Sequence, residues 1–236
     1  MKNKDLKNYA YKTLHDRIVN CVYFPSSVLN ESELAKDLGI SRTPVREALN
    51  RLEIDGYVQV LPKKGILVTP VTLQDVQEIF TTRAIIEPAT IKISGPFMNK
   101  DDLRDYKKKF LQPEKDIRNS FRLDTDMHLF FIRHSNNKFI IEMMEKVFDV
   151  NTRIIISSKQ NQYKIHDAVN EHVHILDLLL EERYNEAADY MEYHINQCRN
   201  AAFNFFMNMH VYTIQPRSGS PTTTTTQETV SSNPNS

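Results

Sequence analysis

Apolar residues recur every three or four positions through the first fifty residues of the chain, which is the period of an amphipathic α-helix. The first run extends from Tyr11 to Val22 and predicts a helix that closes before Pro25. A second run follows Asn30, whose side chain can cap a helix, and stops at Gly39, which tolerates the left-handed conformation common at helix ends. The pattern therefore predicts two helices in this segment, the second of them short.

A third helix is predicted within the segment SRTPVREALNRLEI. Ser41 or Thr43 can cap it, and Pro44 is tolerated because the first turn of a helix has no internal bond for the missing N–H group. Two short apolar stretches, YVQV and ILV, follow and are joined by the turn sequence PKKG, which predicts a β-hairpin. Three helices followed by a hairpin with a basic tip are typical of a winged helix-turn-helix, which is a DNA-binding fold.

Basic residues collect on the third helix and at the tip of the hairpin. Arg42 and Arg46 lie one helical turn apart and so share a face that can meet base edges or phosphates. At the hairpin tip, lysines would meet phosphates and a glycine would let the backbone approach DNA closely. Arginines can also simply solvate a surface helix, but the order of elements favours DNA. The predicted DNA-binding residues are Arg42, Thr43, Arg46, Arg51, Lys63, Lys64 and Gly65.

After residue 70 the helical period continues with few interruptions. The predicted helices span residues 72–94, 101–111, 114–135, 137–158, 165–183 and 185–210. The predicted fold is therefore mainly α, with an N-terminal winged helix-turn-helix followed by an all-helical bundle that forms a ligand-binding domain. The predicted domains are residues 1–70 for DNA binding, 71–214 for the bundle, and 215–236 for a Ser/Thr/Pro-rich tail that should be disordered.

Four polar residues occur on the apolar stripes of the bundle, at positions that the helical period directs inward. One helix places an aspartate and a histidine one turn apart, between Phe121 and Phe131, and two later helices each place one histidine on the stripe. The four residues are Asp124, His128, His172 and His194. The helix predicted at 137–158 has, by contrast, a stripe with no polar residue, consisting of Ile140, Met143, Val147, Val150 and Ile154.

A buried polar side chain without a partner costs about 1–3 kcal/mol or more, so these four residues need partners. One carboxylate and three imidazoles suit a divalent transition metal (Zn, Ni, Mn or Fe), with Zn the first choice, and they leave coordination positions open for a ligand. A hydrogen-bonded polar core is the alternative explanation. Cys198, one turn after His194, could touch the metal or simply pack.

Arg83 lies at the edge of the apolar face of the first bundle helix, one turn before Glu87. Its guanidinium could bind the carboxylate of an effector, or it could pair with Glu87. The pair is favoured slightly, so Arg83 is a weaker candidate for effector binding than the four residues above are for metal binding.

Charge and cysteine content refine this division into two modules. Lys plus Arg equals Asp plus Glu at 30 each, but residues 1–70 carry 11 basic and 8 acidic residues (+3), and residues 71–214 carry 18 and 21 (−3). A basic front and a mildly acidic back indicate modules with different partners. Two distant cysteines, no signal-peptide pattern and no apolar run of about 20 residues predict a cytoplasmic protein that does not enter a membrane.

Two parts of the chain resemble known families. The segment LAKDLGISRTPVREALNRLEIDGYVQVLPKKGILV resembles the winged-helix domain of the GntR family of bacterial transcription regulators. This resemblance implies that Arg42, Thr43 and Arg46 contact DNA and that Gly65 lies at the wing tip. The segments RAIIEPAT, DTDMHLFFIRHSNNKF, EHVHILDLL and YMEYHI resemble the FCD ligand-binding domain of the family's FadR-like branch. This second resemblance implies that the four inward polar residues are metal ligands.

Together these features predict a non-enzymatic transcription regulator that binds a double-stranded DNA operator as a homodimer. A small carboxylate effector would bind at the metal site and change the affinity for DNA. The expected direction is repression, although the sequence itself does not distinguish repression from activation. Two alternatives stay open: the metal itself is the signal, or the chain is a helical metalloenzyme with a DNA-binding appendage. The metalloenzyme is disfavoured because no convincing base, nucleophile or phosphate-binding loop is present.

Overall fold

The computed structural model describes residues 3–112, 117–159 and 168–213. Its buried apolar residues form two main clusters, one drawn from residues 10–68 and one from residues 76–206. The first cluster is the core of a small module of helices and a three-stranded sheet, and the second is the core of a helical bundle. The mainly α fold predicted from the sequence is confirmed.

The first module is a winged helix-turn-helix. Its helices are α1 (Asn3–Val19), α2 (Glu31–Leu38) and α3 (Arg42–Ile54), and its strands are β1 (Val28–Leu29), β2 (Val58–Leu61) and β3 (Gly65–Val68). The sheet order is β1-β3-β2, with both pairs antiparallel, so β2 and β3 form the predicted hairpin. The pattern of apolar residues did not predict β1, because a two-residue strand is too short to show an alternation.

Helix ends in this module follow the predicted capping chemistry in part. The side chain of Asn30 accepts hydrogen bonds from the backbone N–H groups of Ser32 and Glu33, and Gly39 ends α2 with φ of 65°. Ser41 occupies the cap position of α3, but its side chain makes no capping hydrogen bond. Asn30 therefore fixes the start of α2, and Gly39 fixes the turn between α2 and α3 that aims the start of α3.

The bundle follows directly. Its α-helices are α4 (Leu73–Ser94), α5 (Lys100–Leu111), α6 (Ile117–Arg133), α7 (Lys138–Lys159), α8 (Val169–Leu180) and α9 (Tyr184–Thr213). A 3₁₀ turn, Gly95–Phe97, closes α4. These bounds agree with the predicted helices to within a few residues wherever both can be compared; the predicted starts of the third and fifth bundle helices, at residues 114 and 165, lie outside the described residues.

The predicted apolar stripe of α7 was confirmed at Ile154, which is fully buried, and wrong at Met143. Met143 is 40% exposed, whereas Met144 and Phe148, each one position later than a predicted residue, are fully buried. Asn151 lies one turn after Phe148 on the same face of α7 and is fully buried. The buried face of α7 therefore does contain a polar residue. The shift arises because α7 packs on the bundle along one side and on the winged helix along another, and two buried faces blur a single helical period.

The two modules meet along α7. The hydroxyl of Tyr57 donates a hydrogen bond of 2.6 Å to Asp149, and the imidazole of His15 lies 3.0 Å from the same carboxylate. Arg153, one turn further on, donates to the backbone carbonyl of Thr69 between the modules. A small apolar cluster completes the contact and contains Cys21, Phe121, Ile155 and Ile156. The winged helix is therefore fixed to the bundle by both polar and apolar contacts with α7.

Two further sequence predictions concern the rest of the chain. Within the described ranges, no helix is both long enough and apolar enough to cross a membrane. The predicted disordered tail, residues 215–236, lies outside the described residues.

Candidate functional site

Two predicted DNA-binding arginines lie together on the exposed face of α3. The side chains of Arg42 and Arg46 are 61% and 60% exposed. Both pair with Glu31, the first residue of α2: Arg42 Nε donates to the carboxylate at 3.0 Å, and Arg46 donates through Nε at 3.1 Å and Nη2 at 2.9 Å. Hydrogen bonding from Arg46, with a smaller contribution from Arg42, lowers the pKa of Glu31. Glu31 is a member of this surface that the sequence pattern did not predict.

Thr43 is also exposed beside these arginines, but Arg51 has a different environment. The guanidinium of Arg51 lies 3.8 Å from the ring centroid of Tyr11 and 3.9 Å from the carboxylate of Asp55. These contacts turn Arg51 toward α1. The structure therefore groups Arg42, Thr43 and Arg46 and leaves Arg51 apart from them.

The hairpin tip carries the other predicted DNA contacts. Lys63 and Lys64 are exposed, and Lys63 has φ of 62°. Gly65 has φ of 111°, and a Cβ atom built there would lie 2.7 Å from the carbonyl oxygen of Leu29 in β1. Glycine is thus required at this position by the approach of strand β1 within the chain, whether or not DNA approaches it as well.

Three histidines meet in the middle of the bundle. His128 on α6, His172 on α8 and His194 on α9 are all buried, and they offer ligand atoms that lie within 4.8 Å of one another. The Nε2 atoms of His172 and His194 are 3.2 Å apart. Helical spacing directs each imidazole inward from a different helix, so the site exists only when the three helices are packed together.

Asp124, the fourth predicted ligand, lies beside this cluster. Its Oδ1 atom is 3.1 Å from Nε2 of His172, and its side chain is 19% exposed. Cys198 lies on the other side of His194, with its Sγ atom 3.8 Å from Nε2 and 3.9 Å from Nδ1. The sulfur is thus nearly equidistant from the two ring nitrogens, which is a packing position rather than a position in line with one nitrogen lone pair.

Two carboxylates orient the imidazoles from behind. Glu87 Oε2 lies 2.5 Å from Nδ1 of His128, and Glu171 Oε2 lies 2.8 Å from Nδ1 of His194. Imidazoles that bind a metal through one nitrogen commonly donate the other N–H group to a carboxylate. Glu87 was predicted only as a partner for Arg83, and Glu171 was not predicted, because a glutamate on a helix is most often a surface residue.

The donor set fits a divalent transition metal. Nε2 of His128 is buried and has no hydrogen-bond partner among the described residues, although its ring lies against those of His172 and His194. An unsatisfied buried nitrogen is costly, and a metal ion would satisfy it. Burial lowers the pKa of His194 despite the opposing hydrogen bond to Glu171, which favours the neutral imidazole that binds metals.

Arg83 is buried beside the histidines and held by three groups. Its Nε donates to Glu87 at 2.6 Å, its Nη1 donates to Asn151 at 2.9 Å, and Nη2 lies 3.5 Å from Nδ1 of His128. Burial would raise the pKa of Glu87, but the charge of Arg83 and the hydrogen bonds from His128 and Arg83 outweigh burial and lower it. The slightly favoured pairing of Arg83 with Glu87 is confirmed. Asn151 is an additional acceptor that was not predicted, because the buried face of α7 is shifted from the predicted one.

A small cavity opens next to the cluster. It has a volume of about 50 Å³ and is bounded by four helices. Its polar lining consists of Arg83, Asp124, Ser158, His194 and Cys198, and its apolar lining includes Phe80, Phe121, Ile154 and Ile155. Arg83 therefore faces both the carboxylate of Glu87 and the cavity.

Comparison with known protein families identifies both modules. Residues 6–68 match the family of bacterial regulatory proteins named after GntR, and residues 78–197 match the FCD domain, which alone covers half of the chain. The chain belongs to the FCD-containing GntR family of transcriptional regulators. The resemblance drawn from the sequence is thereby confirmed for both modules of this GntR regulator.

Individual relatives agree with this assignment. The chain is 27% identical over 192 residues to an uncharacterized HTH-type transcriptional regulator, YdhC, of Bacillus subtilis, covering 79% of this chain and 86% of the relative. It is 27% identical over 123 residues to the HTH-type transcriptional repressor RspR of Escherichia coli, covering 50% and 54%. The fold is similar to that of a transcriptional regulator of the GntR type from Rhodococcus sp. RHA1 (TM-score 0.72, 18% identity, 84% of this chain and 97% of that chain).

Proposed function

We propose that this GntR regulator binds a double-stranded DNA operator as a homodimer in the cytoplasm, and that a small carboxylate controls its affinity from the histidine cluster. The observation that carries this proposal is the convergence of three buried imidazoles beside a cavity that Arg83 lines. Arg42, Thr43 and Arg46, with Lys63, Lys64 and Gly65 of the wing, would contact DNA. The domains proposed from the sequence, residues 1–70 and 71–214, would divide these tasks.

The proposed metal site consists of His128, His172 and His194, with Asp124 as a fourth ligand. Nitrogen-rich sites of this kind suit Zn²⁺ first, and also Ni²⁺, Mn²⁺ or Fe²⁺. When bound, the metal supplies open coordination positions that attract anionic oxygens. Glu87 and Glu171 would hold two of the imidazoles in the neutral form with Nε2 facing inward.

Arg83 would attract and orient the carboxylate effector. Its guanidinium lines the cavity, where Glu87, hydrogen-bonded to it, and the nearby Asp124 are the negative charges that compete with the effector. Since an arginine has five N–H donors in a fixed plane, Arg83 can keep Glu87 and Asn151 and still offer donors to a small anion.

Helix α7 would carry the effect of binding to the winged helix. Ile154 and Ile155 line the cavity, while Asp149 and Arg153 hold Tyr57 and Thr69. Because the same helix contacts both the cavity and the winged helix, a shift of α7 at the cavity would change its contacts with the winged helix directly.

Regulation by repression and dimerisation are parts of the same proposal. A repressor is supported by the name of the Escherichia coli relative, to which this chain is similar over half its length. A dimer is supported by the size of the recognition element, because a single short helix reads few base pairs and two-fold symmetry doubles its contacts.

A second candidate is that the metal itself is the signal. The cavity volume of about 50 Å³ is well below the roughly 300–1,000 Å³ of most small-molecule sites. A cavity of this size admits only a very small carboxylate effector. It also fits a mechanism in which the regulator responds to the metal, with a few bound waters, and to no organic ligand.

The test is a titration of DNA binding in which metal and carboxylates are varied separately. The probe is the duplex that the wild-type protein enriches from a random-sequence library, and the ligands are Zn²⁺ and a panel of mono- and dicarboxylates. A response that needs both supports the carboxylate effector, a response to Zn²⁺ alone supports the second candidate, and no response to either refutes both. Light scattering of the same samples at micromolar concentration should show a dimer.

The DNA-contact assignment has its own variants. We expect Arg42→Ala and Arg46→Ala each to lose roughly 1–3 kcal/mol of binding to the enriched duplex, because each removes a forked donor from the exposed face of α3. Arg104→Ala is the matched control, since Arg104 is similarly exposed but lies on α5 of the bundle. Wild-type affinity in both α3 variants would show that another surface binds DNA.

A further inference from the structure

Glu31 occupies an unusual place for an acidic residue, because it lies within a surface proposed to bind a polyanion. Its carboxylate accepts three hydrogen bonds from two guanidiniums, one from Arg42 and two from Arg46. The carboxylate side chain is only 18% exposed, although both arginines are about 60% exposed. The negative charge therefore lies behind the arginines, and the arginines form the outer surface.

The geometry leaves the outer edges of both guanidiniums available. Arg46 uses Nε and Nη2 toward Glu31, so Nη1 and the second Nη2 hydrogen point away from it. Arg42 uses only Nε, which leaves both of its terminal nitrogens. Since two terminal N–H groups suffice for a bidentate contact with guanine or with a phosphate, pairing with Glu31 and contact with DNA are compatible.

Two features keep the carboxylate ionised and in place. Glu31 is the first residue of α2, where the positive end of the helix dipole and unpaired N–H groups favour a negative charge. The paired arginines lower the pKa of Glu31 as described above, so the carboxylate stays charged at neutral pH. The position of Glu31 is thus fixed by its own helix, and the arginines are held against it.

We propose that Glu31 is a positioning residue for DNA recognition, one that aims Arg42 and Arg46 at base edges and reduces their attraction for DNA of any sequence. Holding a long side chain in its binding conformation lowers the entropy lost on binding the correct site. One negative charge beside two positive charges reduces the electrostatic attraction to phosphates, which drives non-specific binding. Glu31 would therefore favour the operator over other DNA.

This inference rests on the proposed role of Arg42 and Arg46 in DNA binding, and Glu31→Gln tests it. Glutamine keeps the shape but removes the charge and one strong acceptor. We expect binding to a random-sequence duplex to tighten, and its logarithmic dependence on salt to steepen by about 0.9, which corresponds to one more neutralised phosphate. The ratio of affinities for the enriched and the random duplex should fall by about tenfold.

Glu33→Gln is the matched control, because it removes the same charge from the same turn of α2. Glu33 makes no hydrogen bond to either arginine in the described part of the chain, and its backbone N–H is bonded to Asn30. Glu31→Asp keeps the charge but is too short to hold both guanidiniums, so it should keep the wild-type salt dependence and lose part of the selectivity. Melting temperatures confirm that each variant is folded.

The outcomes separate this inference from the proposed function. If Glu31→Gln and Glu33→Gln have the same selectivity and salt dependence, or if Glu31→Asp keeps full selectivity, Glu31 does not position the arginines. If Arg42→Ala and Arg46→Ala also bind like the wild type, the DNA-contact assignment fails as well. Loss of binding in the arginine variants, together with the expected Glu31→Gln result, supports both.

Discussion

Gly65 and Arg51 each contact a residue of another element within the winged helix, Leu29 and Tyr11 respectively. Gly65 is predicted from the wing sequence to let DNA approach, yet its Cβ position is already blocked by the carbonyl of Leu29. Arg51 is predicted to contact DNA, yet its guanidinium stacks on Tyr11. In both cases the partner is distant in sequence, so the local pattern could not reveal it.

Gly65 allows a matched test at this scale. Gly65→Ala and Gly56→Ala both force alanine into a positive φ, 111° and 84°, but only the first also meets backbone, 2.7 Å from the oxygen of Leu29. Backbone strain alone costs about 1–3 kcal/mol. We therefore expect both variants to unfold at lower urea concentration, with the larger loss for Gly65→Ala. Equal losses would mean that β1 moves aside without cost.

Among the elements, α7 is the one that both modules share. One side of the helix supplies Asn151 to Arg83, and another supplies Asp149 and Arg153 to the winged helix. Because Asn151 and Arg153 are two positions apart, they project in clearly different directions from the same helical turn. A displacement of α7 is therefore felt on both sides at once.

Tyr57→Phe tests this coupling, since it removes the hydroxyl that donates to Asp149 at 2.6 Å and leaves the ring in place. We expect the response of DNA affinity to Zn²⁺ and carboxylate to shrink, while metal content measured by elemental analysis stays unchanged. Tyr23→Phe is the control, because the Tyr23 hydroxyl bonds to Arg17 within the front module. A full response in Tyr57→Phe would show that this hydrogen bond takes no part in coupling.

At the scale of the whole molecule, the histidine cluster links α6 to the consecutive helices α8 and α9. His128, His172 and His194 come from α6, α8 and α9, so a metal bound to all three would also stabilise the packing of these helices. A ligand that binds only the folded state stabilises it by about 2.7 kcal/mol when its concentration is 100 times its Kd.

Chelation should therefore lower the melting temperature of the wild-type protein, and added Zn²⁺ should restore it. His172→Ala is expected to lose most of the bound metal and to melt at the same temperature with or without chelator. His174→Ala serves as control, because His174 is two residues away, is exposed and packs edge-on against Tyr190. A wild-type protein that contains no transition metal and ignores both chelator and Zn²⁺ would make the cluster a hydrogen-bonded polar core.

The sequence was sufficient for whatever depends on local periodicity. Stripes of period 3.6 placed the helices and directed His128, His172 and His194 inward, because a buried face must repeat with the helix. The sequence was not sufficient to predict the role of residues whose partner lies in another element. Asn151 was hidden because α7 has two buried sides, and Glu31 was overlooked because its arginines lie across a turn on the next helix.

The division of α7 between two neighbours also bears on how such regulators can be recombined. A winged helix transplanted from another regulator would have to supply a phenol in place of Tyr57 to meet Asp149, and would have to place a backbone carbonyl where Arg153 donates to that of Thr69. A chimera with its junction at residue 70 would thus keep each sequence module intact but separate α7 from the winged-helix residues that it contacts. Functional chimeras of this protein should require that the face of α7 that contacts the winged helix be taken from the same donor as the DNA-binding half.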